Sequence, residues 1–265
     1  LENLTLKKLF SIPFDGLVWK VISLENSDTM LIEVRKQAQQ TVHFFEFNSK
    51  NLTLQALENI DHQWWFGLQD GFLGIIIFQE YNHQQMPASK AIFAYQLSTK
   101  KVIWRHENLS YHHSLDKSIV ALKQQHEMAE LIQLDIETGK VIEGNIAAPN
   151  SAPSKNIYPI HYKNDNQYFV DIADFILKNY NHIAVHAIDY LEVGQLILIS
   201  YYICDSENKL SNYLFIINAE GKLVLSDTLG EKLPGIGLDT FWIHEQQLLF
   251  IKNKSELNSY SLPLL

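Results

Sequence analysis

Eleven histidines and 30 carboxylates supply this sequence with the side chains of acid–base and metal chemistry, so their spacing comes first. His182 and His186 have the i, i+4 interval that chelates a metal on a helix. However, His182-Ile183-Ala184-Val185-His186-Ala187-Ile188 alternates as a strand, and at about 3.3 Å per residue the two rings would start roughly 13 Å apart. The adjacent His112 and His113 would face opposite ways in a strand and read as hydrogen-bonded or solvent-facing residues. No metal site and no cofactor are expected. The one cysteine, Cys204, excludes an internal disulfide and a zinc site with several thiolates. The sequence has no Gly-rich phosphate loop, nucleophile elbow or paired thiol motif, which leaves phosphoryl transfer and serine hydrolysis without support.

Two further sets of residues could do work. The acids Asp15, Asp61 and Asp239 each stand three or four residues before a tryptophan that opens an apolar strand, and Asp116 is a fourth candidate. Gathered around a channel, with a pair about 5 to 9.5 Å apart, such acids would make a glycosidase-like hydrolase or lyase. Pointing into turns, they would instead hold the chain through Asx-type hydrogen bonds. The second set is Trp19, Trp65, Tyr111, His113, Phe241 and Trp242, aromatic groups with mostly polar tips of the kind sugar and peptide sites use. Their alternative role is packing between sheets.

The elements that must position these residues are strands. Phe44 to Leu54, Ala94 to Trp104, Gln133 to Glu143 and Ile216 to Val224 repeat a strand, a tight polar turn and a second strand. Gly139 and Gly221 supply the positive φ that a tight hairpin turn needs, with Lys50 and Lys100 in the matching place of the other two. Upstream of these hairpins the acid-to-tryptophan stretches and the runs Thr29–Val34, Phe72–Phe78 and Leu248–Ile251 add two strands more. A unit of four strands recurring roughly every 40 to 50 residues is the scale of a propeller blade. Lys101 to Lys140 is 39 residues and Lys140 to Lys222 is 82, so one blade carries an insertion, at about residues 147–182. Five blades fit better than six.

Within the insertion Phe169, Ile172, Ala173, Ile176, Leu177 and Tyr180 follow the period of an amphipathic helix near 167–180. Asn164, Asp165 and Asn166 offer its N-cap, and Asp174 with Lys178 forms a favourable i, i+4 pair. The helix covers an edge or face of its blade, or serves as a lid or docking element. The C-terminal residues from Phe241 supply only three strands, while Leu4 to Phe10 form an orphan strand. The N-terminal strand is therefore expected to complete the last blade, burying Leu4, Leu6 and Leu9.

The repeat resembles that of quinoprotein-type propellers: Ala94, Thr99 and Trp104 match the pattern in one hairpin, Asp135, Thr138 and Gly139 in another. Gln96, Lys100 and Glu143 depart from it. The quinone enzymes of that group hold their cofactor beneath a disulfide of adjacent cysteines, which one cysteine cannot form, so the resemblance implies fold and not quinone chemistry. Trp104 is expected to pack between sheets. Ile199-Ser200-Tyr201-Tyr202 and Gly235 to Phe241 also resemble a bacterial family of unknown function with propeller-like architecture, which implies no activity.

Composition sets the remaining limits. A chain of 265 residues, 46% hydrophobic and 19% charged, can bury a large core as one all-β domain spanning residues 1–265. The net charge of −9, from 21 basic against 30 acidic residues, argues against a nucleic-acid partner. The longest apolar runs, such as Ile75–Phe78, are strand-sized, far short of the roughly 20 residues of a membrane helix. The expected compartment is the cytoplasm, with export behind a removed leader as the open alternative because the sequence begins at Leu1. The expected protein is a β-propeller scaffold that binds an unidentified small molecule or protein on its top face through the aromatic set. The carboxylate hydrolase or lyase is the alternative.

Overall fold

The computed structural model describes residues 5–24, 27–72, 74–82, 88–115, 117–125, 128–144, 146, 156–205 and 207–263. The chain divides into two compact units, Asp15–Ser154 and a second made of Leu1–Phe14 with Lys155–Leu265. The first strand, β1 (Lys8–Pro13), belongs to the second unit.

Unit Asp15–Ser154 consists of three antiparallel meanders. The first contains β2 (Leu17–Ser23), β3 (Thr29–Lys36), β4 (Thr41–Asn48) and β5 (Thr53–Ala56). The second contains β6 (Phe66–Phe72), β7 (Ile75–Tyr81), β8 (Ser89–Gln96) and β9 (Lys101–Glu107), and the third β10 (Leu109–Leu115), β11 (Ser118–Gln125), β12 (Met128–Asp135) and β13 (Val141–Ile142). In the inner strands β3 and β7 both faces are covered, and six successive residues of each are buried. The edge strand β5 is exposed throughout.

The second unit continues with β14 (Asn156–Ile157), β15 (Ile160–Lys163), α1 (Gln167–Tyr180), β16 (Val185–Val193), β17 (Leu196–Cys204), β18 (Leu210–Asn218), β19 (Leu223–Leu233), β20 (Phe241–His244), β21 (Gln247–Lys252) and β22 (Glu256–Ser261). One sheet runs β15-β16-β17-β18-β19 and the other β1-β22-β21-β20-β14. The insertion thus adds an edge strand to each sheet of this unit: β14 pairs with β20 and, two residues later, β15 pairs with β16. Residues 147–155 of the predicted insertion lie outside the described residues.

All four repeated hairpins form, as β4–β5, β8–β9, β12–β13 and β18–β19. Positive φ falls at Lys100 (54°), Gly139 (68°) and Gly221 (77°) as the repeat requires, but in the first hairpin it falls at Leu52 (57°) and not at Lys50. There Asn48 Oδ1 accepts the backbone N–H groups of Lys50 and Asn51, at 3.1 and 3.0 Å, which lengthens the turn. Trp104 is wedged between the second and third sheets among Ile77, Ile119 and Leu134, and its Nε1 donates to the Ile136 carbonyl at 2.8 Å.

The predicted helix is α1, and its cap is Asn166, whose side chain accepts the Tyr168 N–H at 2.8 Å. Asn181 ends it in the left-handed conformation. Phe169 and Ile176 bury against Ile188, Ile199, Phe215 and Ile217, so the helix lies on the face of the five-stranded β15–β19 sheet. The clasp also forms: β1 pairs antiparallel with β22. Its phase is shifted, with Leu6 and Phe10 buried and Leu9 only partly so, while Leu4 lies outside the described residues.

Two local expectations need correction. The strand expected from His182 starts only at Val185, and His186 sits at φ 66° in an irregularity between Val185 and Ile188; His182 lies before the strand and meets the Tyr201 hydroxyl at 2.7 Å. His112 and His113 do not face apart, because a bulge between Tyr111 and His113 breaks the alternation and brings their Nδ1 atoms to 2.6 Å.

Candidate functional site

The sequence-selected residues fall into separate surroundings. In unit Asp15–Ser154 the guanidinium carbon of Arg35 lies 5.1 Å from the Trp19 ring and 5.0 Å from the Trp64 ring. Its N–H groups donate to Glu33 Oε1 (2.7 Å) and to the carbonyls of Trp64 (2.8 Å) and Phe66 (3.0 Å). Glu33 is 1% exposed and accepts the Leu68 N–H at 2.7 Å; burial pushes its carboxyl pKa up in spite of Arg35. Lys20 donates to the Leu68 and Gln69 carbonyls, and burial pushes its pKa down. Tyr111 donates to Asp70 at 2.8 Å, its N–H is taken by Gln79, and burial with the Asp70 charge drives the phenol pKa up.

This network ties β3, β6, β7 and β10 together through groups already partnered with one another, which is a structural task. Trp19 is 65% exposed and rests on it, and Trp65 is half-buried beside it. The His113 ring packs on His112, and burial lowers its pKa. In the other unit Phe241 is fully buried and Trp242 8% exposed, both within β20. Of the six aromatics, Trp19, Trp65, Tyr111 and His113 thus belong to one unit and Phe241 and Trp242 to the other.

Each of the described acids has its own partners. Asp15 is exposed and pairs with Lys36 at 2.5 Å. Asp61 accepts the N–H of His62 and the Gln63 amide, the turn-holding arrangement. Asp116 lies outside the described residues. Asp239 adopts φ 50° beside Asp189, and burial followed by the Asp189 charge raises its pKa. Asp189 meets His161 Nδ1 at 2.6 Å and accepts the N–H and hydroxyl of Thr240 at 3.0 and 2.7 Å. The geometry is that of an imidazole held by a carboxylate, but His161 Nε2 is shielded from solvent, where a reacting group would have to reach it.

A pocket of about 480 Å³ lies where α1 meets the β15–β19 sheet. Register explains its lining: Ile160 pairs with Tyr190 and Tyr162 with Ile188, so Ile160, Tyr162 and Tyr190 share the face that α1 covers. Tyr168, in the first helical turn and 62% exposed, closes over Tyr162 with ring centroids 5.2 Å apart; Tyr162 and Tyr190 are 6.3 Å apart. Asp171 and Glu192 supply the charge, and Ile160, Ile172 and Leu191 complete the wall. Tyr190 donates its O–H to Glu192, and burial with that carboxylate drives the phenol pKa up. Gln167 donates to Asp171 at 2.9 Å. An apolar recess of about 210 Å³ adjoins, sharing Asp171, Ile172 and Tyr190 and running to Ile197 and Ile217.

Sequence reasoning marked the helix but not these tyrosines. A signal was present: five of the 12 tyrosines, Tyr158, Tyr162, Tyr168, Tyr180 and Tyr190, crowd into the stretch around the insertion. Among the described residues no group of three or more His, Cys, Asp or Glu could hold a metal, and no helix is long and apolar enough to cross a membrane.

Five antiparallel sheets, each built on consecutive meandering strands, make this an all-β protein of the β-propeller class with a single α-helix among the described residues. A family model described as "Domain of unknown function (DUF4905)" matches residues 24–104, in agreement with the resemblance to an uncharacterised family. No curated protein matches. Among solved structures, an uncharacterized protein of Listeria monocytogenes EGD-e is similar over 98% of this chain and 85% of its own, at 10% identity and a TM-score of 0.37. The β-propeller domain of the Trilobed protease from Pyrococcus furiosus is similar over 92% and 68%, at 14% identity and a TM-score of 0.34. A bifunctional GH43-CE protein of Bacteroides eggerthii is similar over 97% of this chain, which spans 34% of that protein, at 8% identity and a TM-score of 0.33.

Proposed function

We propose that this protein is a non-catalytic binding module whose small-molecule site is the tyrosine-lined cleft between α1 and the β15–β19 sheet. The observation that carries the reading is the joining of a pocket of about 480 Å³ to three tyrosine rings from three different elements, one of them largely exposed. Concave, mostly apolar surfaces with a few convergent polar groups are where small ligands are held. The scattered acids add support: Asp15 is in a surface ion pair and Asp61 holds a turn, so neither stands ready as a general acid or base.

The test is a thermal-shift screen of sugars, amines, nucleotides and carboxylic acids against the wild type and Tyr168→Ala. A ligand that binds only the native state raises the melting temperature by mass action. The expected result is stabilisation by one chemical class that disappears in Tyr168→Ala, whose exposed ring contributes little to folding. Stabilisation that persists in the variant would move the site elsewhere, and no stabilisation by any class would refute a small-molecule role.

A further inference from the structure

We infer that the cleft selects organic cations, in particular a protonated amine carried on a flat apolar group; this rests on the cleft being the binding site. Its charged wall is of one sign, since Asp171 and Glu192 are joined by no Lys, Arg or His among the lining residues. The polar inventory is also lopsided. Two carboxylates are acceptors only, and the Tyr190 proton is already committed to Glu192. Gln167 occupies one oxygen of Asp171 and Tyr190 one of Glu192, which leaves acceptor capacity on each carboxylate. A ligand that completes these groups must itself donate, which an ammonium does and an ether, ketone or carboxylate does not.

The aromatic wall points the same way. The faces of Tyr162, Tyr168 and Tyr190 carry negative electrostatic potential, and cations are drawn to them. A sugar could also stack on tyrosine, but its hydroxyls need donors as well as acceptors around them, and the side-chain donors this wall still offers are the Tyr162 and Tyr168 hydroxyls, against two carboxylates that only accept. The adjoining apolar recess gives the uncharged part of an amine a place to lie, with Tyr190 and Asp171 shared between the two spaces.

Benzylammonium, benzyl alcohol and benzoate carry the same ring with charges of +1, 0 and −1 and form the probe set. Binding to the full chain is read by calorimetry and by the ring signals of tyrosines assigned from Tyr168→Phe and Tyr190→Phe. The expected order is benzylammonium tighter than benzyl alcohol by about tenfold, with benzoate weaker than both. Glu192→Gln should reduce that gap severalfold. If alcohol and ammonium bind equally and both move the Tyr168 signal, the cation inference is wrong and the binding-site reading stands. If none of the three moves the Tyr168 or Tyr190 signals, both are wrong.

Discussion

Substituting alanine for Gly139 should be among the most damaging single-methyl changes in the chain, and the structure separates its cost into two parts. Gly139 has φ 68°, a conformation that costs a residue with a β-carbon roughly 1–2 kcal/mol. Its Cβ would also stand 2.6 Å from Trp104 Cγ and 2.8 Å from Cδ2, inside the contact distance of any real methyl. Trp104 cannot withdraw freely, since its indole is hydrogen-bonded to Ile136 and wedged between two sheets. Forcing a methyl into such a place costs about 1–3 kcal/mol more. The sum of about 2–5 kcal/mol is a large fraction of the roughly 5–15 kcal/mol that holds a domain folded. Gly74 provides the control: it has φ 76° but no atom within 4 Å of its would-be Cβ, so Gly74→Ala should cost the backbone part alone. Urea unfolding of both variants, and of Gly139→Ala combined with Trp104→Leu, measures the steric part as a coupling energy. Equal losses for Gly139→Ala and Gly74→Ala, with no coupling to Trp104, would refute the wedge.

Two more outcomes are expected. Removing residues 1–12 takes away most of β1 and exposes the surfaces that Leu6 and Phe10 bury, about 3–6 kcal/mol at about 1.5–3 kcal/mol each, so the truncated chain should lose its cooperative circular-dichroism melt; melting at the full-length temperature would show that the clasp contributes nothing. Burial raises the phenol pKa values of Tyr111, Tyr190 and Tyr201 above the unfolded value of about 10, so the stability linked to their neutral forms is complete below about pH 10 and is lost as the pH rises towards their folded values. Urea midpoints should therefore fall steadily above about pH 10, less steeply in Tyr201→Phe, and midpoints unchanged up to about pH 11.5 would contradict this.

Local chemistry makes much of the architecture legible in the sequence. A turn that needs positive φ announces itself through Gly139 and Gly221, a cap through Asn166, and a helix through the 3.6-residue period from Phe169 to Tyr180, because each depends on residues close together in the chain. The clasp is also legible, since a last blade short of a strand and an unpartnered strand at the other end leave each other as partners. Side-chain direction is less secure. One bulge at Tyr111/His113 turns two histidines expected to diverge into neighbours, and a slip of one position replaces Leu9 by Phe10 in the buried set. A period of two has no tolerance for an inserted residue.

The sequence by itself determined the repeating hairpins, the insertion and its amphipathic helix, and the absence of a thiolate cluster. Only the tertiary structure decided which tyrosines meet. Tyr162, Tyr168 and Tyr190 lie on a strand, a helix and another strand, and they line one pocket because the pairing of Ile160 with Tyr190 sets the sheet register and the burial of Phe169 and Ile176 seats the helix on that face. Register and docking are properties of contacts between distant segments, and no window of the chain contains them.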